Sequence, residues 1–203
     1  AQGRPGSRHQ PLILASRNDH KVRELGEMLP GVDLRPLPDE IPSPVEDGDT
    51  FTANALIKAR SAREATGEVV VADDSGIEVE ALDGRPGVRS ARYAGEDATD
   101  EANLGKVLEE VEAAGGSRRA RYVCVIALID EAGEEHVFEA TCEGELVPEA
   151  RGEGGFGYDP AFVPDGTGPD DRRTMAEISS QEKNAISHRG KAAAMLVAHL
   201  VGR

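Results

Sequence analysis

Apolar positions in this chain fall in short runs separated by loops rich in Gly, Pro and acids. Leu12-Ile13-Leu14-Ala15 reads as a buried strand. The polar loop Ser16 to His20 leads from it into a helix with apolar positions Val22, Leu25, Met28 and Leu29. Such a strand–loop–helix unit points loop amides and a helix N-terminus toward an anion. A second strand is predicted over residues 32–37. The stretch Pro38 to Asp49 is too irregular to be an element, and Phe51 to Thr66 has helical composition ending at Gly67, a good C′ residue. Val69-Val70-Val71-Ala72 is a further short buried strand, and Ile77, Val79 and Ala81 alternate with acids as in a half-exposed one. Thr99 is placed to cap a helix whose Leu104, Val107, Leu108 and Val111 share one face. Residues 121–129 and 135–147 read as a long hairpin, with Cys124 and Cys142 equidistant from position 133 and therefore expected as cross-strand neighbours. The glycine-rich loop Gly152 to Asp159 precedes a short strand, and residues 187–201 have helix composition.

The chain has 203 residues, enough for one domain with a sizeable core, and no linker separates two independent units. Residues 1–10 read as a disordered leader or an expression remnant, and residues 11–203 as a single bilobed domain. No stretch approaches the ~18 apolar residues of a membrane span. A net charge of −15 argues against a nucleic-acid-coating surface. An anionic small substrate remains open, provided basic residues or a metal gather locally against the global field. Two cysteines without metal-ligand spacing make no disulfide framework and point to a reducing cytoplasm.

Four clusters carry chemistry. Asp73-Asp74-Ser75-Gly76 follows the third apolar run, so a turn there would present two hard oxygen ligands at a strand end, as a Mg²⁺ site for phosphate chemistry needs. The acidic pair Glu46-Asp47 upstream offers a carboxylate from a second loop. Ser16-Arg17-Asn18-Asp19-His20-Lys21 puts a lysine at a helix start, which opposes the macrodipole unless an anion lies between them. Glycines around Phe156 in Gly154-Gly155-Phe156-Gly157-Tyr158-Asp159-Pro160 allow a flat ligand to approach and stack. In Ser179 to Gly190, Ser179 and Glu182 fit a capping box, while Lys183, His188 and Arg189 supply donors for a carbonyl oxygen on a base.

In this order and at these separations the clusters resemble the inosine triphosphate/xanthosine triphosphate pyrophosphatase family, from about Leu12 to the C-terminus. The resemblance rests also on Phe51-x-x-Asn54-Ala55-x-x-Lys58-Ala59 and Pro86-Gly87-x-x-Ser90-Ala91-Arg92-Tyr93. It implies an α/β fold, a mixed central sheet with flanking helices and two lobes around a substrate cleft. It also implies a homodimer and Mg²⁺-dependent cleavage of ITP, dITP or XTP to monophosphate and pyrophosphate. Carried over by position, Asp74 is the catalytic carboxylate and a metal ligand, with Asp73 and Asp47 as further metal-site acids. Ser16 to Lys21 bind the triphosphate, Ser75 touches the substrate, and Phe156, Gly157, Tyr158, Asp159, Lys183, His188 and Arg189 form the base and sugar pocket. Alternative readings are a pyrophosphatase for other modified nucleotides and a nucleotide-binding protein impaired in catalysis. The latter draws on Ala53, which stands where the family usually has Glu. With Thr50 as N-cap, position 53 is N3, so that Glu either belongs to the metal site or completes a capping box.

Overall fold

The structure is a computed structural model describing residues 11–202, so the expected leader or remnant lies outside the described residues. Its centre is a six-stranded mixed sheet. The elements run β1 (Leu12–Leu14), α1 (Asp19–Met28), β2 (Leu34–Pro36), α2 (Phe51–Thr66), β3 (Val70–Val79), α3 (Asp100–Ala114), β4 (Arg119–Ile129), β5 (Glu135–Leu146), β6 (Phe162–Pro164), α4 (Ser180–Ile186) and α5 (His188–Val201). Strand order is β2-β1-β3-β4-β5-β6, with β1 parallel to β2 and β3 and the remaining pairs antiparallel.

Helices cover both faces. Val70, Ala72, Val123, Val125 and Ala127 pack against Phe51, Ala55, Ala59 and Ala62 of α2, whose small side chains let helix and sheet approach closely. On the other face, Val71, Cys124, Ile126 and Leu128 meet Leu25 of α1 and Ala192, Ala193 and Leu196 of α5. A third core gathers Ile77, Val79, Tyr122 and Phe162 under Leu104, Val107 and Val111 of α3.

Local signals set the helix ends. Thr50 caps α2 by accepting the Ala53 amide, and Gly67 closes it in the left-handed region at φ 69°. Thr99 accepts the Ala102 amide at the start of α3, and Ser179 with Glu182 forms the expected capping box on α4. Gly190 is required by contact: a Cβ there would lie 1.9 Å from the Asn184 carbonyl oxygen, where α5 turns back over α4.

Two expectations change. Asp73 to Gly76 form no turn; they lie in the middle of β3, paired with Ile126, Val125, Cys124 and Val123 of β4. Gly76 serves close approach, since a Cβ would meet the Gly87 carbonyl oxygen and the Ser90 hydroxyl at 2.5 Å. The hairpin register pairs Ile129 with Glu135, so its centre is Ala132, and Cys124 lies opposite Ala140 while Cys142 lies opposite Tyr122. Both cysteines are free and buried.

Candidate active site

A cleft of about 360 Å³ opens where the first loop, α2, β3, the segment Gly87–Arg92, the glycine-rich loop and the α4–α5 corner meet. That size suits a small-molecule ligand. Asn18 is the N-cap of α1, its side-chain oxygen accepting the His20 and Lys21 amides at 3.1 and 3.2 Å. Ser16 accepts the Asn18 amide at 3.3 Å. Arg17 lines the cleft and reaches Asp39 at 3.6 Å, the Ser43 hydroxyl at 3.2 Å and the Ile41 carbonyl, and so ties down the loop before α2. Asp19 is exposed and does not line the cleft. His20 is also exposed, but its ring stacks on Phe156 with centroids 4.8 Å apart and planes 13° from parallel.

Because Asp73 and Asp74 are successive strand residues, their side chains leave opposite faces of the sheet. Asp73 is fully buried on the α1/α5 side, with Lys21 Nζ at 3.1 Å and Arg189 Nε at 3.6 Å. Burial alone would raise its pKa, but Lys21, Arg189 and Lys58 together hold it well below the usual carboxylate range. Asp74 points toward α2, and burial dominates there: its pKa is pushed up, with Lys58 and Lys21 only opposing the rise. One Asp74 oxygen, Oδ2, is buried without a hydrogen-bond partner. The other lies 3.6 Å from Lys58 Nζ, which also sits 2.9 Å from Glu46 Oε1.

The upstream acid at the cleft is therefore Glu46, and this corrects the assignment to Asp47, which is exposed and lies outside the lining. The loop backbone decides between them. Asn54 clamps Gly48 through bonds of 2.8 and 3.3 Å, and Arg92 donates to the Glu46 carbonyl at 3.1 Å. Ala53 does not line the cleft; its amide donates to Thr50 Oγ1 at 3.0 Å, so half of a capping box is present.

The opposite wall is a buried ion network. Glu24 of α1 accepts from Lys183 and from Arg189, each at 2.6 Å. Asp159 accepts from Lys183 at 2.8 Å, from the Tyr122 hydroxyl at 2.9 Å and from the Phe156 amide at 3.0 Å. These bonds fix the glycine-rich loop, helped by Asp100, which accepts the Gly157 amide at 2.8 Å, and by Tyr158, whose hydroxyl donates to the Ser90 carbonyl at 2.6 Å. Arg189 also donates to Ser75 Oγ at 2.8 Å, so its guanidinium is largely committed to holding the wall. His188 is buried and stacked on Tyr122 at 4.6 Å. Burial, reinforced by the charges of Arg189 and Lys183, pushes its pKa well below the ordinary imidazole value and keeps it neutral. Lys183 Nζ and the Arg189 guanidinium lie over the Phe156 ring at 4.9 and 5.7 Å.

Glu24, Asp100 and Tyr122 were absent from the sequence-based site, while Glu46 entered only as a member of the acidic pair with Asp47 and Lys58 only as part of the motif over Phe51 to Ala59. Glu24 had a usable signal, because it lies three residues after Lys21 and beside the apolar Leu25, on a helix face turned inward. Asp100 directly follows the Thr99 cap as an acid in the first turn of α3, and nothing in the sequence ties it to Gly157.

The donors fit a divalent cation. Asp74 and Glu46 offer hard oxygens at the cleft, one of them buried and unbonded. Elsewhere, Asp130, Glu134 and His136 at the β4–β5 turn bring ligand atoms within 4.8 Å of one another. There Asp130 already accepts the Glu134 amide at 3.0 Å and contacts His136 at 2.9 Å, which accounts for the cluster as turn structure. Among the described residues no helix is long and apolar enough to cross a membrane.

The sequence and the fold have counterparts among known proteins. A dITP/XTP pyrophosphatase of Geobacter sulfurreducens is 46% identical over 195 residues, covering 93% of this chain and 96% of that protein. One from Coxiella burnetii is 46% identical over 187 residues, covering 89% and 92% respectively. The solved structure of a HAM1 protein from Coxiella burnetii superposes with a TM-score of 0.86 at 43% identity, covering 96% of this chain and 100% of that one. The Staphylococcus aureus Ham1 protein gives 0.83 at 40% identity, covering 95% and 99%. The sequence profile of the Ham1 family matches residues 12–199, nearly the whole described chain including every wall of the cleft, and the chain belongs to that family.

Proposed function

We propose that this chain hydrolyses deaminated purine nucleoside triphosphates, dITP, ITP and XTP, to the monophosphate and pyrophosphate. The observation that carries the reading is Asp74: a buried carboxylate at the edge of a cationic cleft, its proton affinity raised and one oxygen free of donors. Such a group suits accepting a proton from an attacking water. Water adds to the α-phosphorus, the α–β anhydride bond breaks, pyrophosphate leaves, and the water proton passes to Asp74. The names of the relatives support the same substrate class.

Lys21, Lys58 and the Asn18-capped start of α1 face the triphosphate. Glu46 and Asp74 would hold Mg²⁺, which when bound neutralises phosphate charge and lowers the pKa of water. Asp73 lies on the other face and acts through the cations it fixes. Phe156 offers the stacking surface for the base. Neutral His188 and the ammonium of Lys183 are placed to serve a 6-keto oxygen, while Arg189 braces the wall. A purine bearing a 6-amino donor leaves such donors unpaired, which is a strong basis for rejection. Two free, buried cysteines support a reducing compartment. The homodimer implied by the resemblance belongs to the same reading.

Pyrophosphate release from dITP, ITP and XTP, with ATP and GTP as comparators and EDTA as control, tests the proposal. The keto purines are expected to exceed ATP in kcat/KM by tenfold or more, with activity abolished by EDTA. Equal turnover of ATP would overturn the substrate reading, and EDTA-resistant turnover the metal reading.

A further inference from the structure

The carboxylates and cations of the cleft divide unevenly. Asp73 has two partners, Lys21 at 3.1 Å and Arg189 at 3.6 Å. Among the described residues Asp74 and Glu46 share one ion-pair partner, Lys58, at 3.6 and 2.9 Å. Lys58 rises from α2 with its side chain only 14% exposed, and Asp74 is 12% exposed, so solvent contributes little to screening the pair. Lys58 takes Oε1 of Glu46 and Oδ1 of Asp74, while Asp74 Oδ2 is buried without a hydrogen-bond partner, so a divalent cation drawing on both carboxylates would compete with the ammonium for the same two groups.

We infer that Lys58 is a resident counter-ion that holds Glu46 and Asp74 together and gives way when a divalent cation takes their oxygens, transferring its ammonium to the triphosphate. The inference rests on the metal reading of these two acids given above. Mg²⁺ binds carboxylate oxygens at about 2.0–2.1 Å, well inside the distance at which an ammonium satisfies them. An ammonium still seated on the same oxygens would then face a doubly charged neighbour at close range. Lysine suits such an exchange, being a point charge on a flexible four-carbon stem. An arginine, with its planar fork bound to two acids, would resist leaving. Lys21 has no such role, since its ion-pair partner is Asp73 and neither Asp74 nor Glu46.

The exchange makes two predictions that do not depend on turnover. In wild-type protein without nucleotide, Mg²⁺ should raise the labelling of Lys58 by an amine-acylating reagent at least threefold over an EDTA control, read by peptide mass spectrometry. Lys21 labelling should change far less. In thermal melts, Lys58→Met should unfold at lower temperature in EDTA. Its Mg²⁺ titration midpoint should fall at least tenfold below wild type. Lys58→Gln, which keeps amide donors without the charge, gives the same comparison if the Met variant fails to fold. A Mg²⁺-induced rise in wild-type melting temperature with Lys58 labelling unchanged or reduced would overturn the exchange alone. Absence of any Mg²⁺ effect on wild-type melting and turnover would overturn the metal reading with it.

Discussion

Asp73 and Asp74 are adjacent in sequence and opposite in circumstance. On the α1/α5 face, Asp73 is buried among Lys21 and Arg189, which overcome its desolvation and keep it ionised. On the α2 face, the one ion pair of Asp74 among the described residues is to Lys58 at 3.6 Å, desolvation outweighs Lys58 and Lys21, and its proton affinity rises. The difference teaches that strand geometry can separate a structural charge from a reactive one within a single peptide unit. The first anchors cations that line the cleft; the second keeps the capacity to take a proton.

Exchanging each acid for its amide gives the sharpest test. Asp74→Asn should lower kcat by about 10³-fold or more, by loss of the proposed base and metal ligand, with the melting temperature close to wild type. Asp73→Asn leaves buried cations without their partner and should cost about 3–5 kcal/mol in denaturant unfolding. Its activity per folded molecule should fall less than that of the Asp74 variant. Near-normal turnover in a folded Asp74→Asn protein, or unchanged stability in Asp73→Asn, would break the contrast.

His188, held by Tyr122 and flanked by Arg189, extends the α1/α5-side network. Its folded pKa lies well below the unfolded value, so the unfolded chain binds the extra proton first as pH falls, and stability drops below about pH 6.5. From there to about pH 5.5 the wild type should lose about 1 kcal/mol more than His188→Gln, as measured by denaturant unfolding. Parallel profiles for the two proteins would show that His188 is protonated in the fold.

The smallest effect concerns Ala53, on the Asp74 side. Ala53→Glu should complete the box with Thr50, adding about 0.5–1.5 kcal/mol of stability with little change in kcat. A large gain in activity or Mg²⁺ affinity without added stability would place that position in the metal site.

Much of this was legible in the sequence because local chemistry decides it. Thr50, Gly67, Thr99 and the Ser179–Glu182 box each act within one helical turn, and each ends a helix where expected. The errors arose where long-range contacts decide. A hydropathy pattern ends β3 at Ala72, because Asp73 and Asp74 look like solvent residues. The ladder to β4 carries the strand through them, and Lys21, Lys58 and Arg189, which make their burial tolerable, come from three other elements. Glu46 and Asp47 are chemically alike and adjacent. Only the clamp from Asn54 and Arg92 turns the first of them inward. The cysteine pairing failed by two residues because the hairpin turns about Ala132 and not Gly133.

Lys21, Lys58, Lys183 and Arg189 are sheltered cations in a chain of net charge −15, and this has a consequence for the timing of capture. At distances beyond the Debye length of about 8 Å a triphosphate meets mainly the acidic exterior, and only on entry does it meet the four cations. Added salt screens the distant acids before it weakens contacts inside the cleft. The association rate should therefore rise with ionic strength over the range where electrostatically steered partners slow down. The cleft holds its anion strongly and does little to draw it in.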